Sequence, residues 1–260
     1  MTGRDMLIAL SIVHKGNTKE ITNAIRERKA LQGEAERLAE HWSDEVRCKA
    51  VTFIDPEYPK ALKKSPNPPL VLFYYGDLSL IQDENKCVSY IGSRDVSKAT
   101  ESTTREICED LAKRGITIVS GLSKGVDTYA CESACKSGKS VAVLGCGIDY
   151  HYPQENSLLQ DEIAKNGLVI SEYPPNTEPR PENFPMRSRI IAALSKLMVV
   201  GESKKQSGAI IAVGQALSMG KDVCCLPQEI GSFNNYLIKE GAAMVENADD
   251  IMLELSNGIR

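Results

Sequence analysis

Between residues 76 and 226 the chain alternates short, β-rich apolar runs with longer amphipathic stretches. Each amphipathic stretch is long enough for a right-handed crossover, and this alternation is typical of a parallel sheet covered by helices. The pattern therefore predicts an α/β fold with a doubly wound, Rossmann-like, mostly parallel sheet. The predicted strands are CVSYIG, ITIVSG, SVAVLG, LVIS, LMVVG and DVCCL, and the predicted helices cover residues 97–113, 125–137, 156–166, 186–195 and 209–219.

The first 50 residues follow a different pattern, in which apolar residues recur at helical spacing among charges of both signs. We predict a small N-terminal helical appendage over residues 1–50. From residue 51 the chain reads VTFI, then a turn-rich segment with several prolines, then the strand-like run LVLFYYG. We therefore expect the main domain to cover residues 51–260. The apolar positions of the appendage are Leu7, Ile8, Ile12, Ile21 and Ile25.

The composition permits a substantial core but restricts where nucleic acid can bind. The chain has 260 residues, of which 42% are hydrophobic, and its formal net charge is −4. Indiscriminate nucleic-acid binding is mostly phosphate neutralisation, so an acidic protein of this kind needs a local basic site.

Cysteine usage and hydropathy indicate a cytoplasmic protein. The eight cysteines lie in apolar stretches without a Cys-x-x-Cys pair, which favours reduced structural thiols over disulfides or zinc ligands. No apolar run approaches the roughly 20 residues of a membrane helix. The N-terminus lacks the small-residue cleavage site of a signal peptide. We expect no membrane association.

Four of the predicted strands end in glycine-containing turns, the position at which open α/β sheets bind their ligands. Backbone N–H groups and helix N-termini at such turns favour anions. A single glycine there can simply permit a compact turn, but recurrence at several strand ends favours a ligand site. We predict a phosphate-bearing ligand at the turns Gly92-Ser93-Arg94, Ser120-Gly121, Gly145-Cys146-Gly147 and Gly201.

Two of these turns carry side chains suited to phosphate. Arg94, after Gly92 and Ser93, offers a planar fork of donors for phosphate oxygens, and its alternative is a pair with a surface carboxylate. The second turn, SGLSKGVD at 120–127, combines glycines, serines and a lysine but lacks the spacing of a Walker loop. We therefore do not expect hydrolysis of nucleoside triphosphates.

The segment from residue 179 to 205 is locally basic in an otherwise acidic chain. Phe184, Arg187 and Arg189 lie at the start of a helix, where an aromatic face can stack a base while guanidinium groups neutralise phosphates. Alternatively, Phe184 packs into the core as a staple for that helix. The local pattern leaves both interpretations open.

Several motifs follow one another in order, namely DPEYPKAL, PPLVLFYYG, IGSR, SGLSKGVD, GCGIDYHYPQEN, SEYPP, FPMRSRIIAALS, ESKKQSG and NYLIKEGA. This order and spacing resemble the DNA-processing protein A family, also called DprA or Smf, from about residue 50 to 255. The resemblance implies an extended Rossmann-like domain that binds single-stranded DNA without strong sequence preference. It further implies help in loading the recombinase RecA, a role in natural transformation or related recombination, and a homodimer.

The resemblance also implies which residues contact DNA. The family's phenylalanine-proline-x-arginine-asparagine-arginine element keeps both arginines here, whereas Ser188 replaces the asparagine and alters the expected base contacts. The implied DNA- and phosphate-binding residues are Gly92, Ser93, Arg94, Ser120, Gly121, Lys124, Gly125, Asp127, Phe184, Arg187, Arg189, Ser207 and Gly208.

Two other functions compete with this one. The superfamily includes lysine-decarboxylase-like nucleoside phosphoribohydrolases, which use a glutamate in a PGGxGTxxE loop, but the comparable stretch here is QSGAIIAVGQ. Gln215 and its neighbours supply no carboxylate for acid–base catalysis, so we expect no enzyme activity, catalytic residue, metal or cofactor. The second alternative, a sensor that binds a small signalling nucleotide, stays open.

Overall fold

The computed structural model describes residues 2–27, 33–205 and 207–257. One nine-stranded sheet crosses the molecule. Its strands are β1 (Lys49–Thr52), β2 (Val71–Gly76), β3 (Cys87–Ile91), β4 (Thr117–Ser120), β5 (Ser140–Leu144), β6 (Leu168–Ser171), β7 (Leu197–Val200), β8 (Asp222–Cys225) and β9 (Ala243–Met244).

The strand order is β1-β2-β6-β5-β4-β3-β7-β8-β9. The pairs from β6 to β9 are parallel, whereas β1 pairs antiparallel with β2 and β2 with β6. From the central β3 the chain winds outward through β4, β5 and β6, and then returns to build β7, β8 and β9 on the other side. This confirms the predicted doubly wound, Rossmann-like, mostly parallel sheet.

Helices cover both faces of the sheet. Buried side chains of α8 and α9 pack on one face, while those of α5, α6 and α11 pack on the other. The helices are α1 (Gly3–Val13), α2 (Thr18–Arg26), α3 (Glu34–Glu45), α4 (Lys60–Lys63), α5 (Lys98–Lys113), α6 (Val126–Cys135), α7 (Ser157–Asn166), α8 (Asn183–Leu194), α9 (Gly208–Ser218), α10 (Phe233–Lys239) and α11 (Ala248–Asn257).

Strand β3 shows how the sequence divides between the two layers. Every residue of β3 is buried, so its sequence is a continuous run without alternating exposed polar positions. Cys87 and Ile91 join the core beneath α8 and α9, whereas Val88 and Tyr90 join the core beneath α5 and α6. Successive side chains of a strand point to opposite faces, so one run contributes to both cores.

Helix α8 begins at Asn183, three residues before the predicted start at residue 186. Pro185 lies within its first turn, where the missing N–H costs nothing because the first four N–H groups of a helix have no intrahelical partner. Phe184, Arg187 and Arg189 are therefore all helical. Helical geometry therefore sets the direction in which each of these side chains points.

The N-terminal helices α1, α2 and α3 form a small core of their own that includes Leu10 and Ile21. Ile8 packs instead with Phe73 and Val169 of the sheet, while Ile25 is exposed. The predicted boundary at residue 50 falls inside β1, and the division into two domains stays a prediction.

Two further properties concern the chain as a whole. Among the helices of the described residues, none has the length and apolar character that a bilayer crossing requires. All eight cysteines are buried and free, as predicted for structural thiols. Burial raises the pKa of Cys225 to about 12, so this thiol stays protonated near neutral pH.

Candidate nucleic-acid interface

A cleft of about 510 Å³ lies at the carboxyl ends of the central strands. From β3 the chain leaves through α5 on one face of the sheet, and from the neighbouring β7 it leaves through α9 on the other. Ligands of open α/β sheets bind where connections diverge in this way. The turn after β3 and the first turns of α8 and α9 line this switch-point cleft.

The turn after β3 presents one buried hydroxyl and one exposed guanidinium to the cleft. The backbone N–H of Ser93 donates to the Glu202 carbonyl at 2.7 Å, which fixes the turn, while Ser93 Oγ is buried and has no partner among the described residues. Arg94 is exposed, and no ion pair within the described ranges involves it. Both groups are available to a ligand.

The loop from 120 to 127 supports the cleft from below. Ser120 is fully buried, and its hydroxyl donates to the Tyr90 carbonyl at 2.6 Å, so it has a structural contact. A Cβ at Gly121 would lie 1.8 Å from Nη1 of Arg187, and Gly125 has a φ of +79°. A side chain at Gly125 would be strained, whereas one at Gly121 would require the Arg187 guanidinium to move.

Two charged side chains of this loop have partners within the chain. Lys124 is exposed and pairs with Glu155. Asp127 is buried and accepts a hydrogen bond from the Ser123 N–H at 3.3 Å, which holds the loop in place. Burial raises the pKa of Asp127, and the neighbouring charge of Arg187 opposes that shift.

Phe184 and Arg187 lie one turn apart on α8 and share the cleft. The Phe184 ring is partly exposed, its centroid lies 5.6 Å from that of Tyr152, and the Arg187 guanidinium lies 5.9 Å from it. Arg187 is buried and donates to the carbonyls of Gly121 and Val143. Burial, and to a smaller extent the like charge of Arg94, lowers the pKa of Arg187, while Asp127 opposes this. Two neighbouring cations favour a bound anion.

Arg189 lies on the other side of α8, outside the set of residues that line the cleft. It is buried and forms an ion pair with Glu172 at 2.6 Å, and the Thr18 hydroxyl donates to the same carboxylate at 3.2 Å. Since Thr18 belongs to α2, this N-terminal junction ties the helical appendage to α8. The fold does not bring Arg189 together with the other predicted contacts.

The first turn of α9 completes the cleft. Ser207 occupies the N-cap position, where its side chain makes no capping hydrogen bond, and its buried Oγ has no partner in the described part of the chain. Gly208 is exposed beside it. The unpaired N–H groups of a helix N-terminus attract anions, so this end of the cleft suits a phosphate.

Tyr152 and Lys204 also border this region, although neither is among the DNA- and phosphate-binding residues predicted from the sequence. Tyr152 is 42% exposed and stands beside Phe184, and Lys204 lines the cleft while pairing with Asp95 at 3.1 Å. The motif GCGIDYHYPQEN contained the signal for Tyr152, an aromatic residue in a loop after a strand. Within the described residues, no three His, Cys, Asp or Glu side chains converge as a metal-binding group.

Comparison with known proteins identifies the family. The family model for DNA recombination-mediator protein A matches residues 49–256. The chain is 38% identical over 208 residues to the DNA processing protein DprA of Streptococcus pneumoniae, covering 78% of this chain and 73% of that protein. It is 37% identical over 256 residues to Protein Smf of Synechocystis sp., covering 95% of this chain but only 63% of that relative.

Solved structures give the same result. The crystal structure of DNA processing protein A from Streptococcus pneumoniae superimposes with a TM-score of 0.80 at 31% identity, covering 97% of this chain and 93% of that one. DNA processing protein A from Helicobacter pylori, studied for its single-stranded DNA binding mode, gives 0.73 at 30% identity, covering 82% and 98%. The chain therefore belongs to the DNA recombination-mediator protein A family, the DprA/Smf DNA-processing proteins.

Proposed function

We propose that this chain binds single-stranded DNA in the switch-point cleft, with Phe184 stacking a base and Arg94 contacting a backbone phosphate. One observation supports this proposal: a partly exposed aromatic ring shares one cleft with a guanidinium and two hydroxyls that have no partner in the described part of the chain. Stacking on an aromatic ring tolerates any sequence but needs an unpaired base, which favours a single strand over a duplex.

The remaining residues divide into contacts and supports. The hydroxyls of Ser93 and Ser207 donate hydrogen bonds to phosphate oxygens. Lys124 leaves its ion pair with Glu155 and pairs with a phosphate. Arg187 holds the Gly121 loop in position and adds positive charge beneath the strand. Arg189 acts through the position of α8 and makes no phosphate contact, because its guanidinium is committed to Glu172.

We propose the biological role that the family resemblance implies. The protein acts in the cytoplasm in natural transformation or related recombination, holds single-stranded DNA and helps to load RecA onto it. It acts as a homodimer formed through the Rossmann-like domain. Exposed apolar side chains in the segment after β8, such as Tyr236 and Met244, support a contact between subunits there.

We further propose that binding needs no cofactor and involves no catalysis. The two carboxylates that line the cleft, Asp95 and Asp127, have partners in Lys204 and the Ser123 N–H. Glu172 and Glu202, which lie outside the cleft, also accept hydrogen bonds from other residues. We therefore expect none of the four to activate water. Release of free base from nucleoside monophosphates, lost on substitution of Glu172 or Glu202, would contradict this part of the proposal.

The direct test compares two exposed arginines. Arg94→Ala removes a charge-assisted phosphate contact of about 1.5–3 kcal/mol, which weakens binding of a single-stranded oligonucleotide about ten- to a hundredfold. Arg37→Ala, an exposed change on α3, leaves the affinity unchanged. Fluorescence anisotropy measures both, and thermal melting checks that both variants stay folded. If the Arg94→Ala variant is folded and binds like the parent, the binding site is wrongly assigned.

A further inference from the structure

A second groove, of about 810 Å³, lies between the turn joining α1 to α2 and the first turns of α8. Its floor is the N-terminal junction, in which Arg189 and Thr18 both donate to the Glu172 carboxylate. Glu172 and Arg189 are buried, whereas Thr18 is partly exposed. The rim of the groove has a different character.

The rim carries a local excess of positive charge in a protein whose formal net charge is −4. Its exposed cations are Lys15, Lys19, Arg26 and Arg180, and no ion pair between described residues involves any of them. Of the exposed rim carboxylates, Glu20 lies 3.3 Å from His14, and Glu182 stands at the start of α8. A groove lined by unpaired cations is typical of proteins that bind the phosphate backbone of a single strand.

The position of Lys19 adds an independent argument. Lys19 lies in the first turn of α2, where the positive end of the helix dipole disfavours a cation. The side chain therefore does not stabilise its own helix. An anion bound in the groove would pair with Lys19 and give its charge a role in binding that it does not have in stabilising the helix.

The groove adjoins the switch-point cleft across the first turn of α8. Phe184 and Arg187 face the cleft, whereas Asn183 and Met186 face the groove. A helix is about 10–12 Å across, a distance that about three stacked nucleotides span. Met186, 45% exposed on this ridge, offers a polarizable thioether to a passing base.

We propose that this groove holds the continuation of the single strand that stacks on Phe184, with its phosphates along Lys19, Arg26 and Arg180. The inference rests on the proposed function and extends it to the N-terminal helices. The helical appendage is then part of the DNA-binding surface. A short oligonucleotide fills only the cleft, while a longer one occupies both sites.

The test uses oligothymidylates of two lengths, of about five and about twenty nucleotides. Lys19→Ala combined with Arg180→Ala removes two rim charges from exposed positions. The double variant binds the long strand about three- to tenfold more weakly, and its logarithmic salt slope falls by about 1.4. Binding of the short strand is unchanged. Lys113→Ala, which removes an exposed lysine paired with Glu109 on α5, changes neither affinity.

Each outcome separates this inference from the proposed function. If Arg94→Ala weakens both strands and the double variant weakens only the long one, both proposals hold. Equal losses of the double variant on both lengths, or no loss on the long strand, overturn the groove alone. If Arg94→Ala affects neither strand, the cleft itself is wrongly assigned, and the inference that depends on it is overturned with it.

Discussion

The switch-point cleft and the N-terminal junction each contain a buried arginine from α8, but the two arginines have different partners. Arg189 meets a carboxylate at the junction and forms an ion pair. Among the described residues, Arg187 at the cleft donates only to carbonyl and hydroxyl oxygens, and hydroxyls nearby have no partner. The ion pair at the junction contributes to the fold, whereas the hydroxyls of Ser93 and Ser207, which line the cleft without a partner in the described residues, are available to a ligand.

The largest expected effect is on stability, at the junction. Arg189→Ala leaves the Glu172 carboxylate buried without its cation, which lowers the free energy of unfolding by about 3–5 kcal/mol. Urea denaturation measures the loss. Glu172→Gln in the Arg189→Ala background removes the unpaired charge and recovers part of the stability. A single variant as stable as the parent would show that the pair does not hold the appendage to α8.

The pH dependence of this variant has a definite sign. Burial raises the pKa of Glu172 above its ordinary value of 4.5, and Arg189 opposes that shift. Without Arg189 the folded-state pKa rises further, so the folded variant binds more protons than the unfolded chain above pH 4.5. Its stability therefore increases as pH falls. The deficit relative to the parent therefore shrinks as the pH is lowered towards the ordinary glutamate pKa of 4.5.

An intermediate effect is expected at the cleft, on binding. Phe184→Leu keeps apolar contact with Tyr152 but removes the aromatic face, which costs about 1–3 kcal/mol of affinity for single-stranded DNA. Anisotropy titration measures the change. Phe184→Tyr keeps the ring and serves as the matched control, with binding close to that of the parent. Equal affinity of the leucine and tyrosine variants would mean that Phe184 is only a packing residue.

The smallest effect tests whether an unpartnered hydroxyl matters to the fold. Ser93→Ala removes a buried Oγ that has no partner in the described structure, so the melting temperature stays the same or rises slightly. Binding of single-stranded DNA falls by about 0.5–1.5 kcal/mol, because the hydroxyl is lost as a phosphate donor. Parallel melting and titration separate the two effects. Destabilisation without any loss of affinity would give Ser93 a structural role.

The strand pattern was predictable because parallel strands buried on both faces read as continuous apolar runs. The turns at Ser93 and Gly121 were predictable as neighbours for a related reason, since carboxyl ends of adjacent parallel strands meet at one edge. The hydrophobic pattern did not predict β9, α10 or α11. Strand β9 has only two residues, too few to show an alternating pattern.

The partners of individual charged side chains were not predictable. Arg187 and Arg189 are two positions apart, so helical geometry turns them to different sides, but only the fold shows which side meets Glu172. The same holds for Lys124, whose partner Glu155 lies 31 residues further along the chain. Local pattern identifies basic residues near a site, and tertiary contacts decide which of them are free.

The most direct test of single-strand binding in the switch-point cleft is a salt series of anisotropy titrations with one sequence as a single strand and as a duplex. We expect the single strand to bind more tightly, because Phe184 needs an unpaired base. Its affinity should fall with salt along a logarithmic slope of about −0.7 for each phosphate contacted. Duplex binding as tight as single-strand binding, or a flat salt response typical of a small-nucleotide pocket, would show that the cleft does not hold a single strand of DNA.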